Sequence, residues 1–180
     1  MTSHWATIRR HATERATRAC GHFRAIGLLG LAGLAGCGGE TVSIELAFPS
    51  SDSFVRSANA RLFVVDVGED LGACPDLVMQ SELGNLTGDV FQSEAVSVCD
   101  ASVGRLTVPD VDEGLYAFVA AATNEAGQVL LTGCTIADPY VDDHPLQIVL
   151  APTERYRTTY PVGTDPEVCS ADDKCLRGCR

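Results

Sequence analysis

From position 41 onward, apolar and polar side chains alternate. Val42, Ile44, Leu46 and Phe48 interleave with Thr41, Ser43 and Glu45, the period of two that marks a strand with one buried face. Pro49-Ser50-Ser51-Asp52-Ser53 ends that pattern and reads as a loop. Residues 60–67, Ala-Arg-Leu-Phe-Val-Val-Asp-Val, are β-branched and nearly continuous, the mark of a more central strand. Pro75 to Leu83 reads as a short helix with Pro75 at its first position and Leu77, Val78 and Leu83 turned toward a sheet. Further strands are expected at 90–98, 104–108, 115–123, 128–137 and 145–151, with Asn124-Glu125-Ala126-Gly127 as a hairpin loop. The expectation is a mainly β protein, a single antiparallel β-sandwich of about seven strands with one short helix near 75–83.

A different pattern precedes these strands. Ala25 to Gly36 is uncharged and almost wholly apolar, and it follows a leader carrying Arg9, Arg10, Arg15, Arg18 and Arg24 against one acid, Glu14. Twelve residues are too few for a span that needs about 20, but they suit the apolar segment of an export signal. Gly27, Gly30, Gly33 and Gly36 argue against a buried helix, since each costs ~1 kcal/mol relative to Ala. The Arg9-Arg10 pair is followed by His11-Ala12-Thr13 and lacks the apolar continuation of a twin-arginine signal.

The run ends at Leu34-Ala35-Gly36-Cys37, which resembles the lipobox of bacterial lipoproteins. That resemblance implies recognition of Leu34, Ala35 and Gly36 by the lipoprotein signal peptidase, cleavage before Cys37 and acyl chains on Cys37. Several chains on one residue hold a protein at a membrane stably, where one holds only marginally. Gly38, in place of an aspartate after the lipidated cysteine, implies by the same resemblance an outer-membrane destination. The expected organisation is a signal peptide at 1–36, a lipidated tether at 37–40, a β domain at 41–152 and a Cys-rich polar tail at 153–180.

Charge then narrows the partners. The full chain has 13 basic and 24 acidic residues, net −11. With five arginines and one glutamate in the leader, the remaining 144 residues hold 8 basic and 23 acidic, net −15. Such a surface repels phosphate backbones, so nucleic acid is not an expected partner. The expected partners are the membrane, through the anchor, and an envelope protein or glycan. No cofactor is expected.

Pro109 to Gly114, Leu115-Tyr116-Ala117-Phe118-Val119, Gly127 and Gly133-Cys134 resemble the strand-turn-strand core of transthyretin-like and carboxypeptidase-regulatory-like domains, over about residues 104–151. An immunoglobulin-like sandwich gives nearly the same pattern. The resemblance implies binding or spacing roles and brings no catalytic residues.

Setting aside Cys20 in the leader and Cys37, six cysteines remain: Cys74, Cys99, Cys134, Cys169, Cys175 and Cys179. An even number in an exported chain points to disulfides. Six allow fifteen pairings; Cys74 with Cys134 is the expected staple, Cys99 and the tail cysteines sharing the rest. Cys169, Cys175 and Cys179 lack the paired spacing of a zinc site, and the tail holds no histidine. Acidic runs at Asp110, Asp112 and Glu113 and at Asp138, Asp142 and Asp143 are weak calcium candidates, because none matches the calcium-loop pattern. His144 is the single histidine beyond the leader, and no Gly-x-Ser-x-Gly turn accompanies it. The expectation is a non-catalytic binding or structural module of the envelope, not an enzyme; the alternatives are a calcium-dependent adhesion or carbohydrate-binding module and, behind it, a hydrolase that would have to use His144. Asn85-Leu86-Thr87 matches a glycosylation acceptor and reads as a plain loop.

Overall fold

Among the described residues strand exceeds helix, and the strands form two sheets. The computed structural model describes residues 42–108, 111–141, 145–165, 167 and 169–177, all within one unit, residues 37–180. The expected leader, Leu34, Ala35, Gly36 and Cys37 lie outside the described residues. Nine strands and five helices occur among the described residues. The strands are β1 (Val42–Ala47), β2 (Asn59–Asp66), β3 (Asp89–Gln92), β4 (Val96–Ser97), β5 (Thr107–Val108), β6 (Tyr116–Thr123), β7 (Val129–Ala137), β8 (Leu146–Val149) and β9 (Ala151–Pro152). The helices are α1 (Ser51–Arg56), α2 (Cys74–Leu83), α3 (Val98–Ser102), α4 (Glu154–Thr159) and α5 (Ala171–Arg177). None is long and apolar enough to cross a membrane.

The smaller sheet has the order β5-β1-β8, the larger β3-β2-β6-β7-β9, with β4 also on β2. Period-two alternation sends Ile44 and Leu46 of β1 toward Ala60, Leu62 and Val64 of β2 and Phe118, Ala120 and Ala122 of β6, and these fill one shared core. The opposite face of the larger sheet carries Val65, Ala117 and Val119, covered by Leu77 of α2. Both faces of β6 are therefore buried, which explains its unbroken apolar sequence Tyr-Ala-Phe-Val-Ala-Ala-Ala.

Several expectations are corrected. The arrangement is not wholly antiparallel: β1 and β8 run parallel, with Ile44 opposite Leu146 and Leu46 opposite Ile148. Helices number five among the described residues rather than one. The loop expected at Pro49 to Ser53 instead runs into α1 from Ser51, because Ser50 and Ser53 cap one another's backbone N–H at 3.1 Å each. The strand expected at 90–98 breaks into β3 and β4 around Ser93, whose backbone N–H donates to Leu62 O and whose hydroxyl accepts from Leu62 N–H, both at 2.9 Å. Ser97 then caps α3 through Asp100 N–H. On α2, Leu77 is buried but Leu83 is 71% exposed; Ser81, one turn beyond Leu77, takes the inward position.

After β8 the chain leaves the smaller sheet and joins the larger as β9, pairing Ala151 with Thr132 and Pro152 with Leu131. At this crossing the backbone passes against Gly133. A Cβ there would lie 2.4 Å from Val149 O and 3.0 Å from Ile148 Cγ2. Gly133→Ala is expected to destabilise the protein by about 2–3 kcal/mol, since backbone on both sides must separate. The check is a lower urea midpoint at unchanged m-value.

Candidate binding site

α2 covers only part of its sheet face. The helix starts with proline in its first turn and stops at Gly84, whose φ of 70° is the left-handed conformation that ends many helices. Beyond that end, β2 presents Asn59, Arg61 and Phe63 on the α2 side, and register places Ala121 opposite Arg61 and Thr123 opposite Asn59. Ala121 projects only a methyl group there, whereas Val119, two residues before it on the same face, packs with Leu77 of α2. The outcome is a cavity of about 400 Å3 between the sheet and the end of α2, within the range of small-molecule sites. The broken strand brings Gln92 to its rim, and Phe63 contributes an aromatic wall.

Two groups stand out in this cavity. Ser81 is 4% exposed, and its Oγ has no hydrogen-bond partner among the described residues, a state that costs about 1–3 kcal/mol for a buried polar group. Arg61 is exposed and makes no ion pair or side-chain hydrogen bond among the described residues. The chain has 24 acidic residues, yet among the described residues none lines the cavity, and the Arg61 guanidinium is the only charge they bring to it. Sequence reasoning missed both residues. The available signals were an arginine in a mostly apolar strand and a serine four positions after a helix leucine.

The wall is held firmly. Cys74 at the start of α2 is bonded to Cys134 on β7, and near the other end Thr132 Oγ1 donates to Glu82 Oε1 at 3.3 Å. A second disulfide joins Cys99 of α3 to Cys175 of α5, and Cys169 is likewise disulfide-bonded. Cys179 lies outside the described residues.

The tail packs on the same core through Tyr156, Tyr160, Cys169 and Ala171, and a charged cluster locks it to α1. Arg56, its side chain 7% exposed, contacts Asp52 at 2.7 Å and Glu167 at 3.0 Å, donates to Asp165 O at 2.9 Å and stacks 4.0 Å from the Tyr160 ring centroid. Asp52 also accepts from Tyr156 Oη–H at 3.0 Å and Glu167 N–H at 2.8 Å. The Arg56 hydrogen bond, foremost, holds the Asp52 carboxyl below its ordinary range. Lys174 Nζ donates to Val55 O and Ser57 O at the end of α1, and burial lowers its pKa.

Burial, and then the bond to Asp52, push the Tyr156 phenol up to about 12. A folded-state pKa above the unfolded value of about 10 means stabilisation that is complete below pH 10 and lost as pH rises toward 12. The melting temperature is therefore expected to drop across that interval. In Tyr156→Phe the late tyrosinate absorbance step and its share of the drop should both vanish.

The acidic candidates partly converge. Asp112 and Asp138, with Asp66, surround Tyr116, whose pKa is raised by burial and then by these charges. Tyr140 Oη–H donates to Val111 O, tying the two loops together, while Asp138 Oδ1 accepts from Tyr140 N–H at 3.0 Å in its own turn. Glu113 is exposed. Asp110, Asp142, Asp143 and His144 lie outside the described residues. Among the described residues, no group of three His, Cys, Asp or Glu side chains is arranged to hold a metal.

Comparison of the chain with protein-family models, with curated proteins and with solved structures finds no match in any of the three.

Proposed function

We propose that this is a lipid-anchored protein of the bacterial outer membrane whose β-sandwich domain binds a ligand without transforming it. The observation that carries the anchor is Leu34-Ala35-Gly36-Cys37 directly after a basic leader and an apolar run. The disulfides Cys74–Cys134 and Cys99–Cys175 support an oxidising compartment outside the cytosol. Two sheets sharing one core support the sandwich reading. The cavity beside α2 is the proposed ligand site. Among the described residues its lining offers amides, hydroxyls and a guanidinium but no carboxylate, imidazole or thiol to serve as base or nucleophile, which supports a binding role over hydrolysis.

The test is the intact mass of the membrane-extracted protein, with thiol alkylation before and after reduction. A species beginning at Cys37, heavier by acyl chains and alkylated only after reduction, is expected. An unlipidated species with free thiols would overturn both the anchor and the compartment.

A further inference from the structure

Resting on the reading of the cavity as a ligand site, we infer that it takes a small hydroxylated monocarboxylate of the sugar-acid class. Among the described residues the sole charge in the lining is the Arg61 guanidinium, in a chain that has 24 acids. A planar guanidinium free of internal partners matches a carboxylate in two parallel hydrogen bonds. Zwitterions such as amino acids are disfavoured, because no acid in the lining would receive an ammonium. Asn59, Gln92, Thr123 and Ser81 also line the cavity, and amides and hydroxyls both donate and accept. That dual character suits alcohol groups, which do the same, and not an acyl chain. Phe63 adds an aromatic surface for the C–H face of a ring. The Ser81 Oγ, unpartnered and closed to solvent, gains a hydrogen bond in the complex once its side chain turns toward the cavity that Ser81 lines.

The experiment is calorimetric titration of the full-length, detergent-extracted protein with glucuronate, glucose and acetate. Glucuronate is expected to bind at least tenfold more tightly than either of the others. Arg61→Gln, at an exposed position without partners, should leave the melting temperature within about one degree and weaken glucuronate at least tenfold. Ser81→Ala should move stability and binding in opposite directions. Removing an unsatisfied buried hydroxyl raises the urea midpoint, while glucuronate affinity falls about threefold or more.

A merely structural Ser81 would not show that opposition. Equal affinity for glucuronate and glucose would sink carboxylate recognition, and equal affinity for glucuronate and acetate would sink recognition of the hydroxyls. Glucuronate binding untouched by Arg61→Gln would place the ligand elsewhere, and absence of any binding heat would overturn the inference outright. None of these outcomes bears on the acyl mass at Cys37, so failure here is separable from failure of the anchor. Glucose or acetate binding that still depended on Arg61 or Ser81 would keep the cavity as the site while removing the sugar acid.

Discussion

Replacing Cys74 and Cys134 together by serine is expected to lower stability by about 4 kcal/mol, the largest loss available from a single pairing at the cavity. The bridge closes a loop of 60 residues, and chain entropy alone assigns about 4 kcal/mol to a loop of that length. The local consequence matters more for function. α2 has only ten residues and turns only Leu77 and Ser81 fully inward, so apolar burial alone holds it weakly. Without the bridge, its amide protons should exchange much faster than those of β6, which is buried on both faces. Binding of the proposed ligand should weaken in the same variant, because the wall carrying Ser81 then has to be ordered at the moment of binding. Denaturant titration gives the global loss, and hydrogen exchange by mass spectrometry locates it. Uniform acceleration across both sheets would show that the bridge does not act through α2.

Arg56→Ala is expected to cost about 3 kcal/mol, the lower end for breaking a buried pair, since Asp52 at 27% side-chain exposure retains some water. Loss of the guanidinium leaves Asp52 with Tyr156 and the Glu167 amide as partners. It also removes the contact to Glu167 and the stacking on Tyr160. Arg56→Lys should recover less than half, because an ammonium cannot make the planar contacts to Asp52, Glu167 and the Asp165 carbonyl at once. The same cluster sets an acid limit. Asp52 has a lowered folded-state pKa, so its stabilisation is present above the ordinary aspartate range and is lost as pH falls through the lowered value. Limited proteolysis should cut the tail first in Arg56→Ala and, in the native protein, at acid pH. A double-mutant cycle of Arg56 with Asp52 should show strong non-additivity; additive losses would mean that the pair does not act as a unit.

What the sequence alone determined is where most strands lie and the place of the longest helix, not where the segments 90–98 and 145–151 divide into two strands each. The alternation at 42–48 and the two-sided apolar run at 116–122 are local consequences of the pleat, which sends successive side chains to opposite faces. Pro75 marked α2 because proline is tolerated only in a helix's first turn. Partner and direction were not legible. Nothing in Val42–Ala47 or Leu146–Val149 says that these segments lie parallel, because alternation constrains faces and not neighbours. Helices α1 and α3, of six and five residues, are too short to form alone and exist through serine caps and tertiary contacts. The cavity belongs wholly to the tertiary structure. It depends on where α2 stops, on Ala121 lying opposite Arg61, and on a disulfide holding the helix in place. Arg61 and Ser81 lie 20 positions apart in the chain, and only the packing of a helix across a sheet gives them one space to share.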